Sequence, residues 1–221
     1  MSHVTDEEKA KGVNSSSAGN HAQGVALAAE KYNISGLICM PESAPISKIE
    51  ATKSYGAEVA LVPGTYDDAY EYALKLKEKE GRTFIHPFND EDVIAGQGTI
   101  GLEILDQMPD VEAVIVPVGG GGLISGLAFA IKSLRPKCKV YGVQAANASS
   151  MLKSVQEGEA VTLDTVSTFA DGIAVKHPGD LTLAFPQKSV DGIVSVSDVE
   201  LASAILALME RQKMVAEGHG A

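Results

Sequence analysis

The sequence predicts an α/β protein built on parallel sheets. Short β-branched or aliphatic runs alternate with longer amphipathic stretches, the pattern that strand–helix–strand crossovers produce. At 116–126 a β-branched run passes into four glycines and then into a helix-like stretch, a junction typical of the carboxyl end of a parallel strand. No internal repeat and no low-complexity linker interrupts the alternation.

Taken in order, the opening Met1-Ser2-His3-Val4-Thr5-Asp6-Glu7-Glu8 is polar and acidic, unlike a signal peptide. Strands are expected over 36–40, 58–62, 83–86, 113–117, 139–144 and 192–196. Helices are expected over 20–32, 46–55, 66–80, 93–107, 123–135, 151–157 and 198–212. The first of these helices is expected to bury Val25, Leu27 and Ala28. Pro45 suits the start of the next, and Gly56 its end, through a left-handed dihedral. Pro63-Gly64 and Pro178-Gly179-Asp180 read as turns, and Ser197-Asp198 as an N-cap. Pro87-Phe88-Asn89-Asp90 breaks the pattern, so a boundary near 86–92 separates a small first unit from a second. The weakly patterned stretch 147–183 is either a functional connection or a surface excursion.

A chain of 221 residues, 45% hydrophobic, forms a core as one domain or two small ones without metal or disulfide staples. The net charge of −11 argues against nucleic acid and against anionic membranes as partners. It leaves room for an anionic small ligand at a locally positive site. Cys39 and Cys138 lie in apolar runs and read as reduced core thiols, and no Cys/His spacing suggests zinc. No apolar run reaches the about 18 residues of a membrane span, so the default location is the cytoplasm.

Two glycine-rich segments carry chemistry. In Val118-Gly119-Gly120-Gly121-Gly122-Leu123-Ile124-Ser125-Gly126 the glycines permit positive φ and close approach, and the following helix offers free N–H groups and its positive dipole end. That is a phosphate cradle; the plainer alternative is a tight turn with no ligand. The spacing is neither Gly-x-Gly-x-x-Gly nor the Walker type, which disfavours a nucleoside triphosphate. In Ser15-Ser16-Ser17-Ala18-Gly19-Asn20-His21-Ala22-Gln23-Gly24 small polar residues precede a helix. Donors from Ser17, Gly19, Asn20 and His21 there suit a carboxylate or phenolate oxygen, or simply make an N-cap with a surface histidine.

The segment 17–24 resembles the asparagine loop of threonine dehydratases and serine racemases. Met40-Pro41-Glu42-Ser43-Ala44-Pro45, His86-Pro87-Phe88, Val93-Ile94-Ala95-Gly96-Gln97-Gly98-Thr99 and Ala170-Asp171-Gly172-Ile173-Ala174-Val175 are similar to further stretches of that family, in the same order. The tetraglycine resembles its pyridoxal 5′-phosphate (PLP) phosphate loop. The resemblance runs from about residue 2 to 221. It implies a fold-type II PLP enzyme (tryptophan synthase β-like) of two parallel-sheet three-layer units, incomplete here. Residues 1–88 would form the small domain with the asparagine loop, and 89–221 the large-domain part with the phosphate loop.

The resemblance further implies that Asn20 bonds the ring oxygen O3′ of PLP. Ser17, Gly19, Asn20 and His21 would hold the substrate carboxylate. Gly119, Gly120, Gly121, Gly122 and Leu123 would bind the phosphate, and Glu217 would lie near the cofactor. The implied reaction is β-elimination from L-threonine, and from L-serine, to a 2-oxo acid and ammonia, with PLP as electron sink. Dimers or tetramers are implied, and catabolic and biosynthetic members share these motifs. Racemases place a serine where this chain has Ala18, which has no proton to give, so a dehydratase is favoured. The racemase cation ligands fall on the neutral Gln144 and Ser150, and no metal site is expected.

The Schiff-base lysine of the family lies in a Ser-Phe-Lys-like motif upstream of the asparagine loop. Lys9 and Lys11 do not match it, and Lys48 reads as a helix-surface lysine, so that lysine is expected to be absent. His219 stands where the family has a small residue. A catalytically inactive PLP-fold binding fragment is therefore the alternative to a lyase, with a serine racemase-like enzyme as a further one. Another fold-type II lyase or synthase fits less well, given Ala18 and the 93–99 segment.

Overall fold

A computed structural model describes residues 1–221, all but the side chain of Gln187. The chain divides into two compact units, Met1–Pro87 and Phe88–Ala221. The first contains α1 (Asp6–Lys11), β1 (Val13–Ser16), α2 (Asn20–Lys31), β2 (Gly36–Pro41), α3 (Ile46–Ser54), β3 (Glu58–Val62), α4 (Tyr66–Glu80) and β4 (Thr83–Phe84). Its sheet has the order β3-β2-β1-β4, and all neighbours are parallel.

Two elements of this unit lie outside the sequence expectation. Helix α1 is short but capped at both ends of its first turn: Thr5 accepts from the Glu8 amide, and Glu8 returns a carboxylate to the Thr5 amide. Strand β1 is central in the sheet and wholly buried although it reads Val-Asn-Ser-Ser. Polar side chains survive there because they find partners: Asn14 Nδ2 donates to Ala73 O at 2.7 Å, and Ser15 Oγ to Ile85 O at 2.7 Å. Hydrophobic patterning is blind to such a strand.

Helix α2 buries Ala22, Val25, Ala26 and Ala29, while Leu27 and Ala28 are only half-buried, a correction to the expected face. The small side chains bring α2 close to the sheet: a Cβ on Gly36 would stand 3.2 Å from that of Ala29. One core joins Val13, Ile38 and Met40 to Val25, Ala26 and Ile49. On the other face Cys39 meets Ala69, Ala73 and Leu76 of α4. Burial pushes the Cys39 thiol up to about 11, which leaves it inert at neutral pH. Pro45 precedes α3 and Gly56 takes a φ of +78° beyond its end, as the sequence indicated.

The second unit contains α5 (Glu91–Gln107), β5 (Ala113–Pro117), α6 (Gly122–Leu134), β6 (Lys139–Ala145), α7 (Ser150–Glu157), α8 (Asp180–Ala184), α9 (Pro186–Ser189), β7 (Gly192–Val196) and α10 (Asp198–Ala207). The sheet β5-β6-β7 is parallel. One face packs Val116 and Val140 against Ile124, Leu127 and Ile131 of α6. The opposite face is incompletely covered: Ile115, Tyr141 and Val194 are 71%, 38% and 52% exposed. Helices α5 and α6 meet through glycines, since a Cβ on Gly126 would stand 2.7 Å from the Gly98 amide.

The expected helix over 198–212 ends as α10 at Ala207, and Leu208–Gln212 widens into a π turn. Pro178-Gly179 is no free turn; Gly179 is the residue before α8. The weakly patterned stretch holds α7, a 3-10 turn at Asp171–Ile173 and α8. Of these, α7 is the helix expected over 151–157; the 3-10 turn and α8 are too short for periodicity to show.

Candidate cofactor and substrate site

In the first unit the carboxyl end of β1 runs into Ser17-Ala18-Gly19, and α2 starts at Asn20. The Ser17 amide donates to Cys39 O at 3.3 Å, extending the β1–β2 ladder by one residue. Ser17 Oγ then accepts from the Gly19 amide at 3.2 Å and shapes the turn. Gly19 makes no side-chain cap, and a Cβ there would meet nothing within 4 Å, so the loop faces open space. Asn20 is exposed at the first position of the helix. His21 is turned inward instead: its Nε2 lies 3.0 Å from Ser15 Oγ and 3.3 Å from Ile85 O. What His21 offers at the loop surface is its backbone, at the dipole-positive end of α2.

Just beneath this loop the Ser16 hydroxyl is buried without a partner, and Tyr66 donates its hydroxyl to Ser16 O at 3.3 Å. Neither residue was singled out from the sequence. Ser16 lies in the quoted 15–24 segment but had no role there, and Tyr66 belongs to a stretch without a motif; their meeting marks them.

In the second unit Val118 N donates to Val143 O at 2.8 Å and fixes the exit of β5. The chain then turns through Gly119-Gly120-Gly121, with Gly121 at φ +95°, and α6 opens at Gly122. The loop is held from behind. Thr182 Oγ1 shares its one proton between the carbonyls of Gly120 and Gly179, and the Gly179 amide donates to Gly120 O. Side chains on Gly120 and Gly122 would run into Phe88, and one on Gly121 into Met151 and Thr182. The glycines thus have a packing role beside the conformational one read from the sequence. Asn89 Oδ1 accepts from the Leu181 amide at 2.9 Å and ties the Phe88 segment to the start of α8. Phe88, Asn89 and Thr182 are support residues that sequence reasoning missed, although Pro87-Phe88-Asn89 was visible as a pattern break.

Glu217 is exposed, with its carboxylate 3.3 Å from His219 Nε2. Asp171 completes a group whose ligand atoms lie within 4.8 Å of one another. His219 Nδ1 is buried without a hydrogen-bond partner. Gln144 and Ser150 are engaged internally. Gln144 bridges Val118 O, Ala148 O and the Leu152 amide, and Ser150 Oγ donates to Val175 O.

Each unit thus has a strand-to-helix junction at the carboxyl end of a parallel strand, the place where α/β proteins bind ligands. The chain belongs to the pyridoxal-phosphate dependent enzyme family, whose model matches residues 1–221. It is 56% identical over 221 residues to the L-threonine ammonia-lyase of Thermotoga maritima, covering 100% of this chain and 55% of that protein. A processed threonine deaminase isoform 2 from Solanum lycopersicum superposes with a TM-score of 0.94 at 45% identity, covering 99% of this chain and 64% of that one. Maize serine racemase gives 0.92 at 36% identity, with 97% and 65% covered. The chain therefore spans between about half and two thirds of these proteins.

The second unit fits the phosphate of the family cofactor. Gly120, Gly121 and Gly122 are buried, and among the described residues no protein acceptor pairs with the amides of 119–123. Unpaired buried donors are costly, and an anion with several acceptor oxygens satisfies them together.

Proposed function

We propose that this chain is the core of a PLP-dependent L-threonine ammonia-lyase, which dehydrates and deaminates L-threonine, and L-serine, to a 2-oxo acid and ammonia. The observation that carries the reading is the set of unpaired amides at 119–123, together with the kinship to threonine ammonia-lyases. PLP, when bound, supplies the electron sink for β-elimination. Gly119, Gly120, Gly121, Gly122 and Leu123 hold its phosphate by backbone N–H groups, and Asn20 donates to its ring oxygen. The loop of Ser17, Gly19, Asn20 and His21 grips the substrate carboxylate with the amides at the start of α2. Glu217 lies near the cofactor.

Residues 1–88 act as the small domain and 89–221 as the large-domain part. Ala18 has no proton to deliver, which favours elimination over racemisation. A non-catalytic PLP-binding role is the competing reading. We include a cytoplasmic location and a homo-oligomeric assembly in the proposal. Among the described residues no helix is long and apolar enough to cross a membrane.

One experiment tests the reading. The purified chain is mixed with PLP, its absorbance recorded, the sample reduced with borohydride and any adduct located by mass spectrometry. Ammonia release from L-threonine is measured in parallel. A labelled lysine with ammonia release supports the lyase, bound PLP without an adduct supports the binding role, and no PLP binding overturns both.

A further inference from the structure

We infer that Ser15 is a positioning residue: with the carbonyl of Ile85 it sets the tautomer of His21 and so pins the first turn of α2. Ser15 lies in β1 and is fully buried. Its hydroxyl contacts two groups, Ile85 O at 2.7 Å and His21 Nε2 at 3.0 Å. A serine hydroxyl has one proton to give. A carbonyl only accepts, so the short bond to Ile85 O takes that proton. The contact with His21 then requires the imidazole to donate.

A second observation points the same way. Nε2 also lies 3.3 Å from Ile85 O, and a lone pair on that nitrogen would face the carbonyl's own. Nε2–H instead finds two acceptors, the serine oxygen and the carbonyl. Neither acceptor can drift, because the Ile85 amide donates to Asn14 O at 2.8 Å and ties Ile85 to β1. His21 is the second residue of α2, so fixing its ring fixes the turn that carries Gly19 and Asn20. A loop held in this way loses less freedom on gripping a ligand. That last step rests on the proposed carboxylate role of the loop; the tautomer does not.

The tautomer is read directly in the native chain from two-bond nitrogen–proton correlations of the histidine rings. A proton on Nε2 of His21 is the expected result, and a proton on Nδ1 alone overturns the inference. The second measurement is amide exchange at Gln23, whose N–H bonds Gly19 O at 3.4 Å. Ser15→Ala is expected to speed that exchange about tenfold, the effect of losing one hydrogen bond. Ser15→Thr, which keeps the hydroxyl, restores the native rate. Unchanged exchange in Ser15→Ala removes the positioning role. If Ser15→Ala does not fold, the native tautomer still decides. Failure of the native chain to bind PLP would sink the functional reading and leave both of these results standing.

Discussion

At the scale of single residues, the phosphate loop makes the sharpest demands. Gly121 needs a positive φ of +95°, and a Cβ there would meet Met151 and would stand 2.9 Å from Thr182 Cβ. Backbone strain of about 1–2 kcal/mol adds to overpacking of about 1–3 kcal/mol. Gly121→Ala is therefore expected to lose about 2–5 kcal/mol in urea unfolding and to weaken PLP binding. A stability loss below about 1 kcal/mol would show that Met151 and Thr182 yield and that packing does not fix this loop. The sequence flagged the same glycine through anion binding and its freedom to take positive φ, not through packing. The clash partners are 30 and 61 residues further along the chain, a distance no local pattern spans.

At the scale of elements, Asp191 ties three together. Its carboxylate accepts from Lys132 of α6 at 2.6 Å, Lys139 of β6 at 2.9 Å and the Val140 amide at 2.8 Å, immediately before β7. Hydrogen bonds from Lys132, then Lys139 and Val140, hold this acid far below its ordinary value of 3.8. A folded-state value below the unfolded one means the stabilisation is present above about pH 4 and fades as pH falls through the lowered value. Asp191→Asn is expected to lower the melting temperature at pH 7, with the gap to the native chain closing as pH drops below 4. A gap constant from pH 7 to pH 2 would deny the carboxylate its role. The strand and helix were both legible from periodicity; their shared acid sits in a connection and was not.

The same scale shows why β1 escaped notice. A buried strand of Asn14, Ser15 and Ser16 depends on Ala73 of α4 and on Ile85 after β4 for its partners. By contrast, the start of α10 was readable because its cap is local: Ser197 and Glu200 satisfy each other across three residues.

At the scale of the whole molecule, charge and apolar surface act against each other. Each chain carries −11, so copies repel at long range. Ile115, Tyr141 and Val194 offer uncovered apolar area on one sheet. The proposed homo-oligomer is thus expected to strengthen as salt rises, because screening removes the repulsion and leaves burial intact. Sedimentation velocity at about 20 mM and 500 mM salt reads this through the mass of the main boundary. A single-chain mass at both ends of the range would remove the oligomer from the proposal.

By itself the sequence determined the α/β class, six of the seven strands, the glycine turn before α6 and the family to which the chain belongs. Those properties are written in side-chain periodicity, in caps three residues long and in contiguous motifs. Tertiary structure alone decided that a polar segment would be the central strand, that Phe88 and Thr182 would back the glycines, and that His21 would turn inward to Ser15. In each case the deciding energy is a hydrogen bond or a packing contact between residues distant in the chain, and no window along the sequence contains both partners.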